Sequence, residues 1–393
     1  MSTKIVSTAF LFLAVGSFSA QAQETRYIVT RLGTDTVAIE RYTRTPGKLE
    51  GDVVLRNPRV QTYHYTADLG ARGQIKTFSM TARRADADPS APPRLQLLDT
   101  FGDSVATVEV SRAGVRDTIL SGRKAYRGRA TPSFPTEPPA YGIYEQILSS
   151  SGLKGDSVSY ALMGPGGGQV PAIILRRRGA DSVAFTSTFF PNWIEVARVD
   201  SRGRILGVNS VATTVKTMAE QAPGLGFDGV VSGWIAAEKA KGPAGLVSPP
   251  DTARAAIGGA NIAVAYSRPA KRGRVIFGNV VPWNQVWRTG ANAATVFTTD
   301  KDLAFGTTVV PAGKYTLWTV PTPTGAKLII NSETGQWGTD YHADKDFAKI
   351  DLTSNHLSQP VEQFVIGVVP QGSGGLLRMA WDDREFTVPF TVK

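Results

Sequence analysis

Residues 385–392 read EFTVPFTV, and this stretch decides the fold class of the chain. Apolar side chains occupy every second position from Phe386 to Val392, and the positions between them are polar or proline. A period of two predicts a strand with one face in a core and the other in water. Because Pro389 has no N–H to donate to a neighbouring strand, we expect it at a sheet edge or a bulge.

The same alternation recurs upstream, interrupted by turn residues. The predicted strands are 262–266, 274–277, 294–299, 314–320, 327–331, 348–352, 361–369 and 376–381. Short strands separated by turns are typical of β-sandwiches. We therefore predict a jelly-roll-like antiparallel β-sandwich for residues 257–393.

The N-terminal part also shows mostly two-residue alternation. Strands are predicted at 36–44, 60–67, 74–82, 105–110, 170–176, 182–188 and 193–199. One segment differs, because Tyr141, Tyr144, Ile147 and Leu148 recur at helical spacing. A single helix among many strands predicts a curved antiparallel sheet wrapped around that helix, over residues 23–235.

A boundary between two β domains is predicted at residues 236–256, which read AAEKAKGPAGLVSPPDTARAA. Gly-Pro and Pro-Pro pairs interrupt this stretch, and it lacks sustained apolar periodicity. Five of the seven Trp lie after it. We therefore interpret it as a linker.

Residues 1–22 have the features of an export signal. Lys4 precedes an apolar stretch, IVSTAFLFLAVGSF, and Ala20-Gln21-Ala22 is a small-residue cleavage signature. The apolar stretch is too short to span a bilayer, and no later segment is apolar enough, so we expect no transmembrane segment. Cleavage near Ala22-Gln23 predicts a periplasmic or secreted protein.

The composition excludes several kinds of site. The chain has 43 Lys and Arg against 33 Asp and Glu, no Cys and only three His, so we expect no thiol chemistry, no metal site and no cofactor. After residue 247 there are 14 Lys and Arg and 12 Asp and Glu, so the positive excess belongs mainly to the N-terminal part. Because no nucleic-acid motif accompanies this charge, we expect no nucleic-acid partner.

The densest group of unusual residues is YSRPAKRGRVIFGNVVPWNQVWRTGAN at 266–292. Arg presents a rigid fork to carboxylate or phosphate, and Trp and Tyr offer flat apolar faces, so this group suits an anionic or glycan-like ligand. A structural role, with Trp in the core and Arg held by a buried carboxylate, is the open alternative. The candidate ligand-binding residues are Tyr266, Arg268, Arg274, Trp283, Trp287, Arg288, Asn292 and Trp337.

At these same residues the chain resembles a bacterial family, the domain of unknown function numbered 2911. The resemblance rests on YSRP, IFG, VWRTGAN, PAGKYTLWTVP and QWG, in that order, and covers about residues 257–393. It implies an exported, all-β domain without an established activity.

The standard catalytic signatures are absent from the sequence, and the glycine-rich segment at 164–168 lacks the Lys and Ser or Thr of a phosphate loop. The leading hypothesis is therefore a non-catalytic binding or envelope-associated protein for an anionic, glycan-like or lipid ligand of the cell envelope. The alternative is a hydrolase of envelope glycans or esters that uses Asp340, Asp344 or Asp382. A third possibility is an apolar ligand in the N-terminal sheet, with the predicted helix as a lid.

Overall fold

The computed structural model of the protein describes residues 24–118, 120–132, 140–153, 155–163, 171–188 and 193–393. The predicted export signal at 1–22 and the glycine-rich segment at 164–168 lie outside these residues.

Sixteen strands of the described residues form one N-terminal sheet that does not close on itself. They are β1 (Glu24–Leu32), β2 (Asp35–Arg44), β3 (Lys48–Leu55), β4 (Gln61–Leu69), β5 (Ile75–Arg84), β6 (Leu95–Phe101), β7 (Val105–Arg112), β8 (Val115–Arg116), β9 (Gly122–Ala125), β10 (Arg129–Pro132), β11 (Ser157–Met163), β12 (Ala172–Arg177), β13 (Ser182–Ser187), β14 (Ile194–Val199), β15 (Ile205–Asn209) and β16 (Met218–Gln221). Their order is β10 to β16, then β1 to β8, with β9 paired to β7. Every pair is antiparallel except β10 with β11.

Helix α1 (Tyr141–Ser151) lies inside the curve of this sheet, and most of its residues are buried. No side chain at its own N-terminus caps it. Instead Glu40 of β2 accepts hydrogen bonds from the N–H groups of Tyr141 (2.7 Å) and Gly142 (3.0 Å). The sheet therefore supplies the acceptor that the first turn of a helix needs.

Two further buried carboxylates connect α1 to distant strands. Glu145 of the helix accepts hydrogen bonds from Arg26 (2.8 Å) and from the Tyr42 hydroxyl (3.0 Å). The Tyr144 hydroxyl donates to Glu195 of β14 (3.0 Å). Because these contacts reach strands on both sides of the helix, α1 is part of the core of a sheet that wraps around it.

A second helix, α2 (Phe227–Lys241), packs on the opposite face of the sheet. Phe227 contacts a small apolar cluster that includes Val29, Ile39 and Val54 of β1 to β3. The sequence predicted one helix only. Helix α2 was missed because Gly229 and Gly233 interrupt its apolar pattern, and it runs into the predicted linker.

Nine strands form the separate C-terminal antiparallel sheet. They are β17 (Pro250–Ile257), β18 (Ala260–Ser267), β19 (Thr295–Thr299), β20 (Leu303–Phe305), β21 (Thr308–Val310), β22 (Gly313–Pro321), β23 (Ala326–Asn331), β24 (Asp346–Gln371) and β25 (Gly374–Val392), with a short 3₁₀ turn at Ala343–Lys345. The order is β17-β18-β19-β22-β23-β24-β25-β20-β21.

The long strand β24 folds this sheet over its own core. Its first part pairs with β23, and its second part pairs with β25 and forms one isolated bridge, between Gln363 and Ala270. Although β18 and β24 are not neighbours in the strand order, the Ile366 N–H donates to the Tyr266 hydroxyl (2.9 Å). The core between these layers includes Trp381, Phe364 and Phe386.

The predicted fold class is confirmed: the chain is mainly β, with a large N-terminal antiparallel sheet and a separate, sandwich-like C-terminal one. The predicted strand at 274–277 is wrong. Gly273 (φ 69°) and Gly278 (φ 88°) bend the chain on either side, and only an isolated bridge between Phe277 and Val281 remains. Pro389 lies in β25 between Thr387, which pairs with β24, and Thr391, which pairs with β20.

Candidate functional site

Three separate loop segments of the C-terminal sheet meet at one place. The Asn292 side-chain amide donates to the Ser267 hydroxyl (3.5 Å), and the Gly338 N–H donates to the Asn292 carbonyl (3.0 Å). Gly290 packs so closely on Ser267 that a Cβ there would be 3.0 Å from the Ser267 carbonyl. The motifs YSRP, VWRTGAN and QWG therefore build a single loop cluster.

The backbone of this cluster is strained next to Arg288. Thr289 is buried and has a φ of 53°, in the left-handed region that β-branched residues rarely adopt. Its carbonyl accepts a hydrogen bond from the Thr295 hydroxyl (2.7 Å) and its own hydroxyl lies 3.3 Å from that of Thr319. Such strain costs about 1–3 kcal/mol and persists only where the surroundings impose it, so the packing around Thr289 holds the backbone next to Arg288.

Arg288 is the unusual side chain of the cluster. Its Nε atom is buried and has no hydrogen-bond partner, and none of the described residues forms an ion pair with its guanidinium. Burial lowers the pKa of Arg288 to about 10, so it stays charged at neutral pH. Gly338 packs against it closely enough that a Cβ there would overlap the Cδ atom of Arg288.

Two further cations, Arg274 and Lys216, belong to this part of the structure. Arg274 donates from Nε to the Lys271 carbonyl (3.0 Å) and from Nη2 to the Ala270 carbonyl (2.5 Å), but it has no carboxylate partner. Lys216 comes from the N-terminal sheet. Burial, followed by the charges of Arg288 and Arg274, lowers the pKa of Lys216 to about 8. We refer to Lys216, Arg274 and Arg288 as the cation cluster.

The cation cluster adjoins the contact between the two sheets. The Thr34 N–H, in the turn between β1 and β2, donates to the Arg272 carbonyl (2.9 Å), and the Arg272 side chain pairs with Asp35. Gly33 approaches Arg272 so closely that only a residue without a Cβ fits there. These contacts hold the 268–274 loop against the end of the N-terminal sheet.

Positive charge exceeds negative charge around this contact. Among the described residues here, Asp35 pairs with Arg272 and Asp382 pairs with Lys271. Glu362 accepts the Arg272 N–H (2.8 Å). The three carboxylates of the region therefore face five cations, which are Lys216, Lys271, Arg272, Arg274 and Arg288. An excess of two positive charges remains.

Several predicted ligand-binding residues are used inside the fold. The Tyr266 hydroxyl accepts a hydrogen bond from the Ile366 N–H in the core, and Arg268 forms an ion pair with Asp251 (3.2 Å). Trp287 stacks on Trp381, with ring centroids 5.9 Å apart. These contacts are what the structural alternative predicts for these residues.

The remaining predicted residues are nearer the surface. Trp283 stacks on Phe277, and the Arg384 guanidinium lies 5.6 Å from the Trp283 ring. Trp337 is 46% exposed and precedes Gly338, which packs on Arg288. Of the predicted set, the structure therefore brings Arg274, Arg288, Asn292 and Trp337 to the region of the cation cluster. Their role in ligand binding stays a prediction.

The carboxylates of the hydrolase alternative have separate surroundings. Asp382 pairs with Lys271, whereas exposed Asp344 pairs with Lys345 (3.3 Å). Asp340 accepts a hydrogen bond from the adjacent Thr339 hydroxyl (3.3 Å). Within the described part of the chain, no contact joins these three carboxylates. No group of three or more His, Asp or Glu there is arranged to hold a metal ion.

Two surface cavities lie elsewhere. One, of about 310 Å³, is at the C-terminal end of α1, between Leu153, Arg177 and Arg202. The other, of about 500 Å³, lies along β17 and β18, beside Arg254 and Asp300. Neither is lined by a residue of the cation cluster. Each residue of the cluster itself keeps partial exposure to solvent.

Sequence reasoning missed Lys216. It lies about fifty residues before the Arg-rich segment, in the turn between β15 and β16, and no motif marks it. Its φ of 53° is unusual for a lysine, but the sequence contains nothing that predicts this backbone conformation.

Comparison with known proteins confirms the resemblance of the C-terminal part. Residues 248–390 match the family model described as "Protein of unknown function (DUF2911)", and the N-terminal part matches no family model. No curated protein matches the chain. A solved structure, that of a DUF1089 family protein from Pseudomonas aeruginosa, is 11% identical, with the match covering 44% of this chain and 90% of that one at a TM-score of 0.32. Among the described residues, neither helix has the length and apolar character needed to cross a membrane.

Proposed function

We propose that this protein is an exported, non-catalytic binding protein whose ligand carries an anionic group that pairs with Arg288. The observation that carries the proposal is the largely buried guanidinium of Arg288, which forms no ion pair with any carboxylate of the described residues and whose Nε atom has no hydrogen-bond partner. A buried cationic donor without a partner is costly, and a bound anion supplies the missing acceptor.

Two other arginines of the chain, Arg26 and Arg272, have structural roles and can be compared with Arg288. Arg26 donates to Glu145 (2.8 Å) and to the Ile205 carbonyl (2.7 Å). Arg272 likewise pairs with Asp35. The Nε atoms of Arg26 and Arg272 are also buried without a partner, but each of these guanidinium groups pairs with a carboxylate through an Nη atom. Arg288 forms no such pair with any of the described residues. This combination favours a ligand role over a structural one.

The surroundings of Arg288 indicate the ligand class. A guanidinium matches carboxylate and phosphate groups in a bidentate manner. The exposed ring of Trp337 offers a flat apolar surface of the kind that stacks on sugar rings or acyl chains. A phosphate- or carboxylate-bearing glycan or lipid of the cell envelope has both properties. The predicted export signal supports a location where such ligands occur.

The test is anion binding by isolated protein, measured by calorimetry with sodium phosphate and sodium acetate at constant ionic strength. We expect saturable binding that Arg288→Met weakens at least tenfold, since the methionine keeps the aliphatic contact with Gly338 but has no charge. Arg254→Met, at an exposed arginine of β17, is the matched control and is expected to bind like the unmodified protein. Equal binding by Arg288→Met and Arg254→Met contradicts the proposal.

A further inference from the structure

Lys216 reaches the cation cluster from the opposite sheet. The ladder between β1 and β16 ends with Arg31 opposite Met218, so Lys216, two residues before Met218, lies at the same end of the sheet as the Gly33–Thr34 turn. That turn is where Arg272 of the other sheet docks. The register of the first sheet therefore places Lys216 at the contact between the sheets.

The turn that carries Lys216 is held by its own hydrogen bonds. The Thr213 hydroxyl donates to the Ser210 carbonyl (2.6 Å), and the Val215 N–H donates to the Thr213 hydroxyl (3.2 Å). Lys216 itself has a φ of 53°, a conformation that a lysine adopts only where its surroundings impose it. The backbone that carries Lys216 is thus held in place by its surroundings.

The ammonium group of Lys216 has unused donors. It donates to the Val211 carbonyl (3.2 Å), which uses one of its three N–H bonds. No carboxylate of the described residues pairs with it. The charged groups that act on it are Arg288 and Arg274, and the nearby Asp35 and Glu362 contact Arg272. The charges of two arginines from the other sheet therefore act on Lys216, and no carboxylate of the described residues balances them there.

Resting on the proposed function, we infer that the anionic group is a dianion of the phosphate or sulfate type, held at once by Arg288 of the C-terminal sheet and Lys216 of the N-terminal sheet. Two unpaired cations match two negative charges, whereas a carboxylate neutralises only one. A group held from both sides links the two sheets, so its binding stabilises their contact.

This inference makes binding dependent on pH in a specific way. Because the pKa of Lys216 lies near 8, the ammonium is charged at pH 7 and largely neutral at pH 9. Arg288, with a pKa of about 10, stays mostly charged over this range. An anion that uses Lys216 therefore binds more weakly as the pH rises through 8 and above, and the bound anion itself moves this transition upward.

The experiment is calorimetric titration of the full mature chain with sodium sulfate, which stays a dianion between pH 7 and pH 9. Lys216→Met is expected to weaken binding at pH 7 about tenfold or more. Lys216→Arg keeps the charge and is expected to bind with much less dependence on pH. The matched control is Lys76→Met, at an exposed lysine of β5 in the same sheet.

The double variant Lys216→Met, Arg288→Met tests whether the two residues hold the same anion. If they do, its loss of affinity is smaller than the product of the two single losses, because the second substitution removes a partner from an ion already weakly held. Losses that multiply would mean two independent anion sites and would overturn the inference.

The failures of the two proposals are distinguishable. No binding of sulfate, phosphate or acetate by the unmodified chain overturns both, and binding of acetate alone overturns only the dianion. Binding that Arg288→Met abolishes, but that Lys216→Met leaves unchanged, keeps the proposed function and overturns the shared site. A second arm identifies the source of the dianion: co-sedimentation with phosphatidic acid vesicles that sulfate displaces indicates a lipid headgroup, and sulfate binding without co-sedimentation indicates a soluble phosphate compound.

Discussion

Arg272 of the C-terminal sheet pairs with Asp35 of the N-terminal sheet, 237 positions away in the sequence. The Arg272 carbonyl also accepts the N–H of Thr34 (2.9 Å), so side chain and backbone fasten the same two loops. This contact brings together the loop that carries Arg274 and the end of the N-terminal sheet that carries Lys216. The contact between the sheets and the cation cluster are therefore one structural unit.

Arg272→Met is expected to weaken this contact and with it the cation cluster. The substitution leaves Asp35 without its partner, and we expect a loss of about 1–2 kcal/mol in the free energy of unfolding and weaker sulfate binding. Thermal unfolding followed by circular dichroism, with sulfate titration, measures both. Lys327→Met is the control, because the pair of Lys327 with Asp351 is exposed and such pairs contribute little. If Arg272→Met is less stable but binds sulfate normally, the anion site does not depend on this contact, and the prediction is contradicted.

Gly338→Ala is expected to disturb the site from its C-terminal side. A methyl group there would overlap the Cδ atom of Arg288 and the Asn292 carbonyl, so the 288–292 loop has to move. We expect a fold that survives, since the clash is confined to loops, and sulfate binding reduced at least tenfold. Gly122→Ala is the matched control, because nothing lies within 4 Å of an added Cβ there. Normal sulfate binding by Gly338→Ala would show that the site tolerates this displacement.

The fold could be predicted from the sequence wherever one face of a strand is wet. The alternation of EFTVPFTV at 385–392 indicates a half-buried strand, and this stretch forms the end of β25. Helix α2 and the loop at 274–277 could not be predicted, because glycines break the period in the first and bend the chain in the second. For the site, the Arg-rich segment was predicted, but Lys216 was not. Its proximity to Arg288 depends on how two sheets meet, and no local pattern encodes that.

Glu40→Ala is expected to loosen α1. Glu40 is buried and accepts hydrogen bonds from the Tyr65 hydroxyl (2.7 Å) and from the N–H groups of Tyr141 and Gly142. Removal of the carboxyl leaves three buried donors without an acceptor, and each costs about 1–3 kcal/mol. Chemical denaturation with tryptophan fluorescence measures the loss. Glu50→Ala, at an exposed residue of the adjacent β3, is expected to change the free energy of unfolding by less than about 0.5 kcal/mol.

Removal of residues 1–22 on export is a further expectation. Expression of the full-length chain in a Gram-negative host, followed by mass spectrometry of the periplasmic fraction, is expected to give a mature chain that begins at Gln23. Ala20→Lys and Ala22→Lys remove the small residues that the cleavage site needs, and we expect them to leave the precursor uncut. A cytoplasmic protein that retains Met1 would contradict both the export signal and the envelope ligand.

Asp99 predicts an unusual dependence of stability on pH. It lies on the inner face of β6, opposite Phe78 of β5 and Val108 of β7, and neither of its carboxylate oxygens has a hydrogen-bond partner. Burial raises its pKa from 3.8 to about 8, and the charge of Lys124 only partly opposes this. The folded protein therefore keeps this proton up to about pH 8, whereas the unfolded chain loses it near pH 4.

Because the folded state binds more protons over this window, the contribution of Asp99 to stability is present below pH 4 and is lost as the pH rises towards 8, by at most about 1.4 kcal/mol per pH unit. The raised pKa of Glu40, about 7, acts in the same direction. Asp99→Asn carries no titrating proton, so its free energy of unfolding is expected to fall much less between pH 5 and pH 8. Urea denaturation at a series of pH values measures this slope. Asp103→Asn, at an exposed carboxyl in the following turn, is expected to keep the slope of the unmodified protein, and equal slopes for both variants would mean that Asp99 is ionised in the folded state.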